Sequence, residues 1–406
     1  MDESATSFRP EIPDDPYPVY ALMRETDPVH FFEDWGVWLV TRHADVVAIL
    51  RDARFSVERF SLDRANPARV AKEASAPARK LFKTFSQMML SSDPPSHTRL
   101  RGLVSRAFTP RAIEAMRPRI QAIVDELIDD AAGAGAMELI GQFAYPLPVI
   151  VIAEMLGVPP NDREQFKRWS DEAIVFLDGA SSEEEDIRLL ASFDELQSYF
   201  RERIAHVRKT TEENLLSALA AAHDGSDRLS EEELISNSFL LLAAGHETTM
   251  NLIGNGMLAL LSHPEEMSRL RADPSLTPSA VEEMLRFDSP VQWTDRLAME
   301  DVEIDGRMIY AGQNAQLGLA SANRDPGAFQ DPDRLDVGRV DNRHVAFGHG
   351  AHYCLGAALA RLEGQIAFET LLRRLGDVRL LDTGICWVPS RAFRRLRHLN
   401  IGFSPA

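Results

Sequence analysis

Residues 345–356 read Val-Ala-Phe-Gly-His-Gly-Ala-His-Tyr-Cys-Leu-Gly, with one sulfur among three glycines. Glycines permit tight turns and let backbone lie close to something flat. A helical pattern starts directly after the cysteine, with Leu355, Ala358, Leu359 and Leu362 at three- and four-residue steps. Cys354 is therefore expected at a helix N-terminus, where the positive dipole end favours a thiolate, the form that binds metals. A second group is Gly245-His246-Glu247-Thr248-Thr249, an acid and hydroxyls inside an apolar run. Polar residues that break a buried helix's local preference mark candidate sites. His97 and Arg101 stand four apart and can point at one anion. Glu283 and Arg286 stand three apart and can pair on one helix face. Each has a plainer reading alone: a small buried cysteine, a tolerated polar patch, solvated basic residues, and a surface ion pair worth little.

Helical periodicity dominates the elements that must hold these groups. It covers 17–26, 43–52, 97–108, 111–132, 146–156, 162–177, 185–208, 231–262, 279–287 and 355–375. Short strand patterns occur at 37–40, at 302–304 and 308–310 around an Asp305-Gly306 turn, and at 379–381 and 399–403. The expected class is mainly α with a smaller β part drawn from both chain ends, hence one interwoven domain over 1–406. Segment 231–262 spans about 45 Å as a helix. Its middle is apolar on nearly all sides, so it is expected as the central buried helix.

The chain has 406 residues, 62 acidic and 44 Lys or Arg, for a net charge of −18. That balance, without a dense basic run, argues against nucleic acid. Two cysteines exclude a disulfide framework and suit a reducing compartment. The apolar stretches Phe239–Gly245 and Val149–Ala153 fall short of the ~20 residues that cross a bilayer. The start, Met1-Asp2-Glu3-Ser4, lacks the pattern of a secretory signal. A cytoplasmic monomer without membrane insertion is expected.

The pattern Phe347-Gly348-x-Gly350-x-His352-x-Cys354-x-Gly356 resembles the heme-binding loop of the cytochrome P-450 family. The other landmarks follow in that family's order over nearly the whole chain. The resemblance implies the cytochrome P-450 fold, with heme b between the long central helix and the helix after the cysteine loop. Cys354 is then the axial thiolate ligand of iron, pushing electron density toward O–O cleavage. Phe347, Gly348 and Gly356 shape the loop around the sulfur, and Phe347 tunes the iron from behind its ligand. His97, Arg101, Arg296 and His352 are expected at the two heme propionates. Glu283 and Arg286 become the family's structural pair, joined by Arg334 from Pro332-Asp333-Arg334-Leu335, where Leu335 replaces the more usual aromatic. Small Ala244 and Gly245 let the central helix lie against the heme face. The Thr248 hydroxyl competes for the carbonyl four residues back, loosening the helix beside bound dioxygen, and Glu247 relays protons.

The resemblance implies a monooxygenase that inserts one atom of O2 into a medium-sized hydrophobic molecule, foremost by C–H hydroxylation. A polyketide, terpenoid, steroid or fatty acid would all suit. Electrons are expected from a separate ferredoxin or flavodoxin with its reductase, because no G-x-G-x-x-G fingerprint follows a strand. Arg101, Arg106, Arg343 and Arg361 are expected to face that partner. Family positions place Met88, Met89, Leu90, Phe176, Leu177, Leu240, Leu241, Ala243, Ala244, Val291, Gln292, Trp293, Ala392 and Phe393 around the substrate. Gln292 is the one polar handle, and 178–186 joins two lid helices. A peroxide-driven oxygenase stays open, as does a non-catalytic heme protein binding a ligand or carrier-tethered intermediate. The Glu247–Thr248 pair weighs against both.

Overall fold

The computed structural model describes residues 14–58, 76–177, 183–224, 227–382 and 384–405. Its first helices are α1 (Tyr17–Thr26), α2 (His43–Arg51), α3 (Ala76–Phe85), α4 (Ser96–Ala107), α5 (Pro110–Ala115), α6 (Arg117–Ala132), α7 (Pro146–Met155) and α8 (Arg163–Leu177). There follow α9 (Glu183–Val207), α10 (Leu215–Ala221), α11 (Glu231–Ser262), α12 (Pro264–Ala272), α13 (Thr277–Phe287), α14 (Leu319–Ala322) and α15 (Ala357–Arg374). The 231–262 expectation matches α11 end to end. Its start is fixed by a reciprocal cap: the Ser230 hydroxyl accepts from Glu233 N–H and the Glu233 carboxylate from Ser230 N–H. The expected single helix over 111–132 is instead α5 followed by α6. Pro118 has no N–H and its ring crowds the carbonyl four residues back, so the chain breaks at Met116.

The main sheet runs β1 (Val29–Phe32), β2 (Val37–Val40), β10 (Asn314–Gly318), β7 (Trp293–Ala298) and β3 (Phe55–Ser56) in spatial order, with β2 and β10 parallel. Strands from both halves of the chain therefore share one sheet. A second sheet orders β11 (Leu375–Leu380), β14 (Asn400–Pro405) and β4 (Ala136–Glu138). The hairpin of β8 (Val302–Ile304) and β9 (Arg307–Ile309) turns at Asp305 and Gly306, with φ of 48° and 74°. Positive φ at both central residues gives the tight turn a hairpin favours. The large core surrounds α11, which α7, α8, α9, α13 and α15 all contact; a smaller core lies under the main sheet. Among the described residues no helix is long and apolar enough to cross a membrane.

One buried group in α15 sets a pH dependence. Glu363 is 1% exposed, its Oε2 has no hydrogen-bond partner, and burial pushes its pKa up from 4.5 to about 8. The fold thus favours the protonated acid, and stability falls as pH rises from about 4.5 through about 8. Glu363→Gln should raise the melting temperature at pH 8 far more than at pH 4. An equal effect at both values would show that Glu363 is not held neutral.

Candidate active site

The cysteine loop is built by backbone geometry. Gly348 and Gly350 take φ of 69° and 73°, a region L side chains avoid. A Cβ on Gly350 would stand 2.7 Å from the Leu50 carbonyl oxygen, so the loop lies directly on α2. Gly348 N–H donates to Val345 O at 2.8 Å and Cys354 N–H to Phe347 O at 2.9 Å, closing the loop. Cys354 stands exposed just before α15, a free thiol accessible on one side and crowded by protein on the others. Burial raises its pKa, while the N–H groups of Gly356 and Ala357 and the charges of Arg101 and Arg361 pull it down. The helix N-terminus alone does not win; a metal cation at the sulfur would add the charge that favours thiolate.

Around this loop imidazoles and guanidiniums converge. The His97 and His352 rings lie 3.9 Å apart between centroids. His97 comes from α4 and is 3% exposed. Arg296, on β7, is 6% exposed and donates to Asp295 O at 2.7 Å. Arg101 donates to Tyr353 O at 2.5 Å. Burial, then the charges of His97, Arg296 and Arg101, push His352 down to about 3. His97 is lowered as well, by burial and then by Arg101, against a smaller opposing pull from Asp93. Imidazoles and guanidiniums gathered this closely disfavour one another's charge unless an anion joins them.

On α11, Ala244 is exposed and Gly245 and Thr248 are half-exposed, while Ala243, His246, Glu247 and Thr249 are buried. The helix thus presents a narrow strip of small residues. The Thr248 hydroxyl donates to Ala244 O at 3.1 Å, the competing bond expected from sequence. Glu247 Oε1 accepts from Asn251 Nδ2 at 3.1 Å and lies 3.6 Å from Arg395 Nη1. His246 Nδ1 meets Ser170 Oγ at 2.7 Å, and burial lowers its pKa to about 4. Arg395 and Ser170 carried no sequence signal; they arrive from distant strands and helices.

Several expectations need correction. Arg334 is not the side-chain partner of the buried pair. Glu283 Oε2 accepts from Arg286 and from Arg339 Nε at 2.8 and 3.0 Å, whereas exposed Arg334 contributes its backbone carbonyl to both arginines. The chain turns twice between Asp331 and Arg339, which brings the later arginine onto the acid. Gln292 is not a free polar handle. It is 4% exposed, its Oε1 accepts from Tyr20 OH at 3.2 Å, and its Nε2 donates to Ser289 O at 2.7 Å. Trp293 gives its indole N–H to Tyr20 OH and packs on Gly318, so it belongs to the sheet's own packing. Arg361 does not offer a free charge: it binds Glu282 through both carboxylate oxygens at 2.6 and 2.7 Å. Arg343 is exposed and lies beside Asp341 on the surface, which leaves its expected place facing a partner open to that partner.

Of the pocket positions, Leu90 is exposed and Val291, Ala392 and Phe393 are half-exposed. Met88, Met89, Leu240, Leu241 and Ala243 are buried in the large core. Phe176 and Leu177 end α8, but their side chains lie outside the described residues, as does most of 178–186. An antiparallel bridge between Val291 and Phe393, and Gln292 N–H donating to Ala392 O, tie the two half-exposed segments together.

The donor set fits an iron porphyrin: a thiol for the metal, a strip of small residues for a flat face, and four cationic or imidazole groups for two carboxylates. The Cytochrome P450 family model matches residues 183–376. Cytochrome P450 CYP107DY1 of Priestia megaterium is 46% identical over 88% of this chain and 88% of its own. Cytochrome P450 monooxygenase PikC of Streptomyces venezuelae is 44% identical, covering 95% and 91%. The solved structure of P450BioI in complex with hexadec-9Z-enoic acid ligated acyl carrier protein superposes with a TM-score of 0.90 at 40% identity, over 97% of this chain and 99% of that one. With the cysteine loop, the convergent imidazoles and guanidiniums and these likenesses together, the chain belongs to the cytochrome P450 family of heme-iron monooxygenases.

Proposed function

We propose that this chain, as one domain over 1–406, is a cytoplasmic heme b monooxygenase that hydroxylates C–H bonds of a medium-sized hydrophobic molecule. The observation that carries the reading is the gathering of His97, His352, Arg101 and Arg296 beside an accessible Cys354. Cys354 would hold the iron, with Phe347, Gly348 and Gly356 shaping its loop, and the four cationic or imidazole groups would hold the propionates. Heme, when bound, supplies an iron that takes up electrons singly and cleaves dioxygen. The family draws those electrons from redox partners, and for this chain a separate ferredoxin or flavodoxin with its reductase is the partner proposed. The half-exposed apolar residues Val291, Ala392 and Phe393 and exposed Leu90 support an apolar substrate. So does the solved relative carrying a fatty acid on a carrier protein.

The chain's own work is to exclude water and deliver protons. Thr248 holds a hydroxyl against the Ala244 carbonyl, and Glu247 keeps a carboxylate buried one residue away. Thr248→Ala removes the hydroxyl and should divert most reducing equivalents to hydrogen peroxide while substrate affinity changes little. Turnover with a surrogate ferredoxin and reductase, comparing oxygen uptake with peroxide, tests this. Coupled product formation at the wild-type level would remove Thr248 from the mechanism. Activity with peroxide alone would favour a peroxide-driven oxygenase, and binding without turnover a non-catalytic heme protein.

A further inference from the structure

Two polar atoms in an otherwise apolar cleft have no partner among the described residues. Glu172 Oε2 and Ser192 Oγ are closed off from solvent and make no hydrogen bond, and both side chains line the same cleft. Glu172 stands on α8 three residues after Trp169, so the two share a helix face. Ser192 stands on α9 beside Phe193 and is 6% exposed. Phe85, at the end of α3, and Phe239, on α11, close the other sides. The ring centres of Phe85 and Phe193 lie 6.0 Å apart, those of Phe85 and Phe239 5.6 Å, and those of Phe193 and Phe239 5.0 Å. Leucines fill the rest of the wall. The cleft has room for one water-sized group, about 20 Å³, within about 270 Å³ of space that includes open solvent.

These walls select for one kind of group. A carboxylate oxygen only accepts, and a hydroxyl also accepts, so together they call for a donor with several hydrogens. The faces of aromatic rings attract a cation. An acid shut off from water without a donor is costly, so a positive donor placed there is favoured. The chain's own cations nearby are engaged: Arg168, beside Trp169, binds Glu195 at 2.5 Å, and Lys80, beside Leu81, binds Asp194 at 3.0 Å. Arg188, beside Leu189, is exposed.

We propose that this cleft takes the primary ammonium group of an amphiphilic amine, with Glu172 as its counter-charge, Ser192 as a second acceptor, and Trp169, Phe85, Phe193 and Phe239 as its walls. This rests on the monooxygenase reading and names a substrate class for it: an apolar molecule that carries a primary amine. Two of the ammonium's three hydrogens go to Glu172 Oε2 and Ser192 Oγ, and the rings face the remaining charge. Phe239 precedes Ala244 on α11 by five residues, about 7.5 Å along the helix axis. A head group held in the cleft therefore keeps the apolar remainder within reach of the strip of small residues, and a carbon remote from the nitrogen meets the site of oxygen insertion. Gln292, the polar handle expected from sequence, is bonded within its own surroundings, and Glu172 takes that part.

Calorimetric titration of the holoprotein with decylamine, decanol and decanoic acid reads the head group directly. Decylammonium should bind roughly tenfold more tightly than decanol, and decanoate more weakly than either, because Glu172 repels it. Glu172→Gln keeps the shape and removes the charge; it should cost decylammonium roughly tenfold in affinity and leave decanol unchanged, which also shows that the variant is folded. Ser192→Ala should cost decylammonium a smaller factor. Decyltrimethylammonium, whose head outgrows the space of one water, should bind roughly tenfold more weakly than decylammonium. The Soret band should not move to the red on adding decylamine, as it would with the nitrogen on iron. Equal affinities for amine and alcohol, a preference for the amine that survives Glu172→Gln, a trimethylated head bound as well as the primary one, or a red-shifted band would each overturn the inference. Oxygen uptake with a surrogate ferredoxin and reductase is measured separately. Uptake alongside any of those results leaves the monooxygenase reading standing without its amine. Binding as predicted in a protein that takes up no oxygen supports the ammonium site and defeats the monooxygenase reading.

Discussion

Arg286→Ala should lower stability by about 3–5 kcal/mol, the usual consequence of removing one partner from a buried ion pair. Arg286 is wholly buried and bidentate to Glu283, with Nε and Nη2 at 2.8 Å from the two carboxylate oxygens. Its remaining donors reach the carbonyls of Asn323, Pro332 and Arg334 at 2.9, 2.7 and 3.2 Å. Glu283 also accepts from Asp336 N–H, Arg339 Nε and Asn342 Nδ2. One ion pair therefore fastens α13 to the whole stretch that leads into the cysteine loop. Burial lowers the Arg286 pKa and the Glu283 carboxylate opposes that. Truncation leaves Glu283 with Arg339 alone as a cation in contact and takes the donor from the carbonyls of Asn323 and Pro332, whereas Arg334 O keeps Arg339 Nη2. Against a total stability of about 5–15 kcal/mol the loss is large. Soluble yield and heme retention should fall together, and urea unfolding should show the shift in midpoint. Arg286→Lys should rescue little, because an ammonium cannot span the carboxylate and three carbonyls at once. A midpoint unchanged in Arg286→Ala would show that the segment is held by something else.

What could be read from the chain beforehand follows the range of the forces involved. The limits of α11 were legible because its cap, Ser230 to Glu233, is local and its apolar surface continuous. The cysteine loop was legible because glycine at positive φ leaves a mark in sequence, at Gly348 and Gly350. Thr248 bonding back to Ala244 is likewise a contact within one helical turn. What failed was long-range. Gln292 looks free until Tyr20, from the opposite end of the chain, takes its amide oxygen. Arg334 and Arg339 cannot be told apart until two turns decide which guanidinium faces Glu283. Arg395 has no signal at all, because its partner Glu247 is brought to it only by packing of the terminal strands on α11. The position of Met88 or Leu241 in sequence does not say whether core or chamber receives its side chain.

Cys354→Ser should abolish monooxygenation and remove the red-shifted Soret band of the reduced carbon monoxide complex. Serine keeps the shape of the loop, whose closure uses backbone N–H groups and not the sulfur. The substitution therefore separates ligation from folding. A hydroxyl is a far weaker donor than a thiolate, so the electron push toward O–O cleavage is lost even where heme is retained. The most direct measurement is X-ray absorption at the iron edge of the purified holoprotein and of the Cys354→Ser variant. One sulfur neighbour on iron in the wild type, absent from the variant, is the predicted result. Iron with only nitrogen and oxygen neighbours in the wild type, or a sulfur neighbour that survives the substitution, would contradict it.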